Sequence, residues 1–218
     1  MSTVNTPASI RWRDEARKGR HRLYPMTVFY GTLALFAFAY GARSNPGRAI
    51  GFYLLGVLAW TWVEYKIHRY ILHGRFPDGP GLQHVAHRLF DHLHVQHHER
   101  PWDGNHINGT IKDHLWILPF FLASLLLPAW SLTVMLAGLT HAGIAEEWVH
   151  HSVHFYHFDN LYFRYIKRHH MFHHSPRGDE LGFGLTNGFW DVVYGTRFPA
   201  ETRAALYAGL SRRHPPAA

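Results

Sequence analysis

Cysteine is absent from the 218 residues. That excludes disulfides, thiolate-bound zinc and iron–sulfur clusters, so any metal must be held by nitrogen and oxygen. Lysine is scarce, four against 18 arginines. No arginine-rich face alternates with aromatics as a base-stacking platform, so the net charge of +7 gives no reason to expect a nucleic-acid partner. The His-Glu-x-x-His helix of zinc proteases is missing. So are the Gly-x-Ser-x-Gly nucleophile elbow and a phosphate-cradling glycine loop.

The basic residues are concentrated at the start of the chain. Arg11, Arg13, Arg17, Lys18, Arg20 and Arg22 precede an uncharged stretch, 26–42. This is the charge placement of a membrane protein whose N-terminus stays in the cytosol. A second apolar run covers 49–63, and a third covers 115–145 with Pro119 and Pro128 inside it. The third is too long for one crossing and reads as a hairpin of two spans, 115–128 and 129–145. A cleaved signal ending near Ala37-Phe38-Ala39 and a buried soluble helix pair are the competing readings. The sequence predicts an all-α integral membrane protein with about four transmembrane helices and a cytosolic, histidine-rich helical cap. Residues 1–22 form a basic cytosolic segment, 23–198 a single membrane-embedded domain, and 199–218 a tail.

Histidine is the abundant residue. Nineteen of 21 histidines lie between His68 and His174. Ten fall into four groups: His68-x4-His73, His94-x2-His97-His98, His150-x3-His154 and His170-x2-His173-His174. Imidazole is a common neutral metal ligand, and ten exceed what one ion takes, so the pattern points to two ions. Residues three and four apart share a helix face, so His94, His97 and His98 should converge, as should His170, His173 and His174. His68 and His73 are five apart and should reach different ions, or lie where a helix ends. An even number of crossings puts all four groups on the cytosolic face, as one site requires.

The remaining histidines in this window, His84, His87, His92, His106, His114, His141, His151, His157 and His169, are read as solvent-facing or as hydrogen-bonding supports. Glu147-x2-His150 has the spacing of carboxylate-bridged di-iron bundles, but those need the motif twice plus two more glutamates. Glu146 and Glu147 are left as acceptors for ligand histidines. Asp103 and Asp191 are equally candidates for caps or such acceptors. Trp102, Trp148, Phe155, Phe172, Phe183 and Trp190 are candidates for lining a substrate entrance.

The segments EYKIHRYILH (64–73), HVQHHERPWDG (94–104), HHSVHF (150–155), IKRHHMFHH (166–174) and LGFGLTNGFWDVVYGT (181–196) together resemble one family. It is the membrane fatty acid hydroxylase and sterol desaturase superfamily, most closely its fatty acid 2-hydroxylase branch. The resemblance covers roughly 50–198. It implies ligand roles for His68, His73, His94, His97, His98, His150, His154, His170, His173 and His174. It also implies two iron ions (zinc being an alternative occupant of an isolated sample), molecular oxygen as oxidant and a membrane lipid as substrate. The expected reaction is hydroxylation of a fatty acyl chain at its 2-position. Many eukaryotic members carry a haem-binding electron-donor domain that this sequence does not contain, so electrons are expected from a separate electron-transfer protein. Oxidation of a sterol, carotenoid or lipid head group by the same centre is the second reading. A histidine-rich membrane metal transporter or sensor is the third, although only His141 falls within an expected span. The bacterial inner membrane is favoured over the endoplasmic reticulum.

Overall fold

The basic run and the first apolar run share one helix. In the computed structural model, which describes residues 10–43, 45–74, 76–87, 92–126 and 130–210, α1 extends unbroken over Trp12–Ala42. Asp14 and Glu15 occupy its first turn, where carboxylates complement the helix dipole. Its buried residues Leu23, Met26, Tyr30, Ala34 and Ala37 recur every three or four positions, while Val28, Leu35, Phe36 and Tyr40 face outward. The described part of the basic segment is thus continuous with the helix that carries the first apolar run.

Asn45 caps α2, Pro46–Ile67, by accepting from Arg48 N at 3.0 Å, and Pro46 supplies the preset φ of a first helical turn. A π-helical turn, His68–Leu72, continues from it directly. Short α3, Leu82–Ala86, and α4, His92–Glu99, follow. Next come apolar α5, Ile117–Leu126, and α6, Trp130–Phe155. The turn expected near Pro128 lies outside the described residues. α7, Leu161–His173, α8, Phe189–Val193, and α9, Ala200–Leu206, complete the chain. Among the described residues every regular element is helical.

α6 is the central element and packs along both α1 and α2. At 26 residues it is about 39 Å long. It crosses α2 at glycines: a Cβ on Gly56 would stand 2.0 Å from Met135 O, and one on Gly138 would stand 2.0 Å from Tyr53 O. Only backbones without side chains can approach so closely. Leu23, Met26, Tyr30, Ile117, Phe121 and Ala137 form the core between α1, α5 and α6. Among the described residues, α1 is the helix long and apolar enough to cross a membrane by length and composition, and α5 is apolar but short. The consequence of this arrangement is positional. The C-terminal ends of α2 and α6 lie beside α4 and α7, and these four stretches carry the histidine groups.

Candidate metal centre

The ten grouped histidines come together as two sets of five. His68, His73, His94, His98 and His173 form one; His97, His150, His154, His170 and His174 form the other. Within each set the ligand-type nitrogens all lie within 4.8 Å of one another. The sets abut, with the His98 and His174 rings stacked at 4.2 Å.

Each His-x2-His-His group, expected to converge, divides between the two sets. Helical geometry explains it. Residues four apart are offset by about 40° around the axis, and residues three apart by about 60° in the opposite sense. His94 and His98 therefore aim at one set while His97 aims at the other. On α7, His170 and His174 go together and His173 departs. His68 and His73 join the same set because the helix changes pitch between them. His73 N donates to His68 O at 3.0 Å, an i→i+5 bond that brings residues five apart onto one side.

Nitrogen spacing fits ions. In the first set Nε2 of His94 is 3.1 Å from that of His68, 2.9 Å from that of His73 and 3.0 Å from that of His98. His73 and His173 are likewise 3.0 Å apart. In the second, His150 is 3.0 Å from His97, His154 is 2.9 Å from His170, and His174 is 3.0 Å from His170. Ligands about 2.1 Å from a shared ion and at right angles to each other stand about 3.0 Å apart.

Proton placement fits as well. His68 Nδ1 donates to Phe183 O at 2.5 Å, and His173 Nδ1 donates to Leu181 O at 2.7 Å. His154 bonds the Pro101 backbone, which offers only a carbonyl. Each such bond fixes the tautomer that turns a bare Nε2 inward. Facing lone pairs at these distances repel unless a cation lies between them. Burial holds all ten below the ordinary histidine range, reinforced in most of them by neighbouring imidazoles. His73 falls to about 3, and His150 and His173 to about 4. Neutral imidazole is the form that ligates.

Two buried carboxylates set the loop that supports the first set. Glu64 accepts from Leu185 N at 2.6 Å, Thr186 N at 2.8 Å and Thr186 Oγ1 at 2.6 Å. Burial lifts its pKa to about 7 against the pull of those bonds. Asp191 accepts from Phe183 N at 2.8 Å, Gly184 N at 3.1 Å and Thr196 Oγ1 at 2.8 Å. The peptide whose carbonyl orients His68 is thus held by Asp191. Phe183 also packs its ring edge-to-face on His68, His73 and His173. The sequence leaves Asp191 open between cap and support, and Glu64 stands out in it only as part of the segment 64–73. A carboxylate four residues before a grouped histidine is the signal that could have pointed to Glu64.

The other candidates lie outside both sets. Glu147 accepts from Asn108 Nδ2 at 2.7 Å and lies 3.4 Å from His114 rather than supporting a grouped histidine. Asp103 caps a turn, accepting from Asn105 N and bonding His106. His84 pairs with Asp78, His87 bonds Phe76 O, and His141 bridges Tyr53 and Gly31. His157 is exposed. His151 is buried and His169 bonds Tyr207 OH, so neighbouring sequence position does not bring either into the centre. Nothing is described of the His92 side chain. Among the aromatics, Trp148 bonds Thr27 Oγ1, Trp190 bonds Thr61 Oγ1, Phe155 packs on Trp12 and Phe172 on Phe198. Phe183 is the candidate that contacts the first set.

Residues 53–196 match the family model described as fatty acid hydroxylase. The chain is 31% identical over 189 residues to mouse fatty acid 2-hydroxylase, covering 84% of this chain and 50% of that protein. It is 32% identical over 178 residues to the ceramide very long chain fatty acid hydroxylase SCS7 of Saccharomyces cerevisiae, covering 79% and 43%. Superposed on a solved structure described as full-length scs7p with only the hydroxylase domain visible, it gives a TM-score of 0.68 at 26% identity, over 81% of this chain and 67% of the other. The chain spans about half the length of the curated relatives it matches.

Proposed function

Since the chain belongs to the fatty acid hydroxylase family, we propose that it is a di-iron membrane oxygenase that hydroxylates a lipid acyl chain at its 2-position. The carrying observation is the pair of five-imidazole sets with mutually facing nitrogens. The acyl substrate and carbon follow from the names of the relatives, fatty acid 2-hydroxylase and ceramide fatty acid hydroxylase. Molecular oxygen is the co-substrate in this reading, and electrons come from a separate donor protein.

A pair of redox-active ions supplies the oxidising power that no side chain has. The chain's own residues do the rest. His68, His73, His94, His98 and His173 hold one ion, and His97, His150, His154, His170 and His174 the other. Carbonyls of Phe183, Leu181 and Pro101 keep His68, His173 and His154 in the ligating tautomer. Burial of both sets excludes bulk water, which protects a reactive centre from side reactions. Phe183 shields the first set on one side.

The reading includes a bilayer. α1 crosses it, and α2, α5 and α6 complete the expected four spans, with Leu54, Leu58, Phe120, Leu122 and Leu125 facing outward as lipid-contacting groups would. The histidine sets then sit on the cytosolic side, beside the ends of the spans, where an acyl chain arrives from the membrane. The relatives reported above are eukaryotic and give the bacterial inner membrane no support.

Lipid mass spectrometry of cells with and without the chain tests the proposal. Acyl 2-hydroxylated lipid should appear with the wild type and vanish with His97→Ala and with His173→Ala. An unchanged acyl profile with a newly oxidised sterol, carotenoid or head group would replace the substrate. Normal product from either variant would remove the metal assignment.

A further inference from the structure

A second chemical site lies away from the histidine sets. Between α7, α8 and α9 there is a cavity of about 420 Å³, and none of the ten grouped histidines lines it. Tyr165 and His169 reach it from adjacent turns of α7, Arg203 and Tyr207 from adjacent turns of α9, and exposed Arg197 from the link before α9. Its walls are not loosely placed. Arg168 Nη1 donates to Leu206 O at 3.1 Å and to Ala208 O at 2.9 Å, tying α9 to α7.

The electrostatics of this cavity are incomplete. Arg203 Nε and Nη1 are buried and have no hydrogen-bond acceptor. Asp191, the acidic residue in the wall, accepts from Phe183 N, Gly184 N and Thr196 Oγ1 and lies 3.5 Å from His169 Nε2, so it leaves Arg203 unpaired. Guanidinium nitrogens removed from water without an acceptor are costly, and the planar fork matches an oxyanion with two oxygens to offer. A second guanidinium, Arg197, and the hydroxyls of Tyr165 and Tyr207 line the same space, and His169 Nδ1 meets Tyr207 OH at 2.8 Å. The volume falls in the range of sites for small ligands or head groups and is generous for a lone carboxylate.

We propose that this cavity binds an oxyanion of the phosphate class, with half-buried Arg203 as its anchor and Arg197 as its exposed partner. The phosphate belongs either to a phospholipid head group or to a soluble phosphorylated molecule. This site is distinct from the hydroxylating centre and is tested by binding, not by turnover.

Metal-loaded full-length protein is dialysed in detergent against radiolabelled inorganic phosphate. In a second arm it is placed in phosphatidylcholine nanodiscs containing phosphatidic acid, and retained lipid is counted by native mass spectrometry. Saturable phosphate uptake identifies a soluble ligand; preferential retention of phosphatidic acid alone identifies the head group. In whichever arm binds, R203Q should weaken binding by roughly tenfold or more, consistent with loss of a charge-assisted contact. R197Q should weaken it less and leave the melting temperature unchanged, so it decides the matter if R203Q fails to fold. R13Q, an exposed arginine on α1, is the control and should bind as wild type. No saturable binding in either arm, or unaltered binding by a folded R203Q or R197Q, overturns the site.

Discussion

The two histidine sets have the same number of rings but are built differently. The second draws on two pairs spaced four apart, His150 with His154 on α6 and His170 with His174 on the last turn of α7, plus His97. All five are buried, and Nδ1 of His97, His170 and His174 has no partner. Helix register places these rings, and the Pro101 backbone adds a bond to His154. The first set combines a π-helical turn, a pair on α4 and one ring from α7. Its His73 and His98 are only partly buried, and its His68 and His173 hang from carbonyls of the 178–185 loop. One set is made by helices, the other by a helix defect and a loop clamp. The first should therefore be the exchangeable ion and the second the permanent one.

The largest effect should come from removing a ligand. His97→Ala and His173→Ala should each lower product formation by at least about a hundredfold, beyond the 10–100-fold typical of residues that merely support ligands. Each should remove the ion of its own set and leave the other, read by metal analysis of the purified variant. Loss of both ions in one variant and only one in the other would show that one set depends on the other.

Acid should come next. Every grouped histidine is held below its ordinary value, so the unfolded chain takes up protons that the folded chain refuses. Stability is then full above about pH 6.5 and falls as pH drops toward about 4, where His150 and His173 titrate in the fold. Melting temperature against pH should show this decline without added metal, and added metal should shift it to lower pH. In the metal-loaded protein, a chelator at pH 7 should strip one ion per chain well before the other, the first to leave being that of the set containing His73.

A smaller effect tests the clamp. Asp191→Asn keeps the shape but weakens acceptance from Phe183 N and Gly184 N, so metal affinity of the first set should fall 10–100-fold while that of the second stays unchanged. Competition against a metal-binding dye would resolve the two. Equal weakening of both would deny the clamp its local role. The smallest effect is Tyr65→Phe, which removes the bond between Tyr65 OH and Thr196 Oγ1 at 2.8 Å and the one Tyr65 OH accepts from Arg69 Nη1 at 2.9 Å. It should cost about 1 kcal/mol in chemical denaturation and leave metal content at wild-type level.

Much of this was legible in the sequence. The ten histidines that gather are the ten whose spacing set them apart, and the apolar runs became α1, α2, α5 and α6. What was not legible has physical reasons. Spacing states that His94, His97 and His98 share a face, but a face about 100° wide reaches both sets, and only tertiary placement assigns each ring. No local preference in HRYIL announces a π-helical turn; it is the arrangement that lets His68 and His73 meet. Glu64 and Asp191 act on peptide groups more than a hundred and about seven residues away, respectively, and sequence patterns do not encode such pairings. The Arg203 cavity is formed by three helices whose packing was not readable beforehand.

Each five-imidazole set should hold one ion. Anomalous scattering from crystals of the iron-loaded protein, collected on either side of the iron edge, measures this directly. Two peaks are expected, one enclosed by His68, His73, His94, His98 and His173 and the other by His97, His150, His154, His170 and His174, with only the second surviving brief chelation. A single peak shared by both sets, or density bound elsewhere, would contradict this assignment.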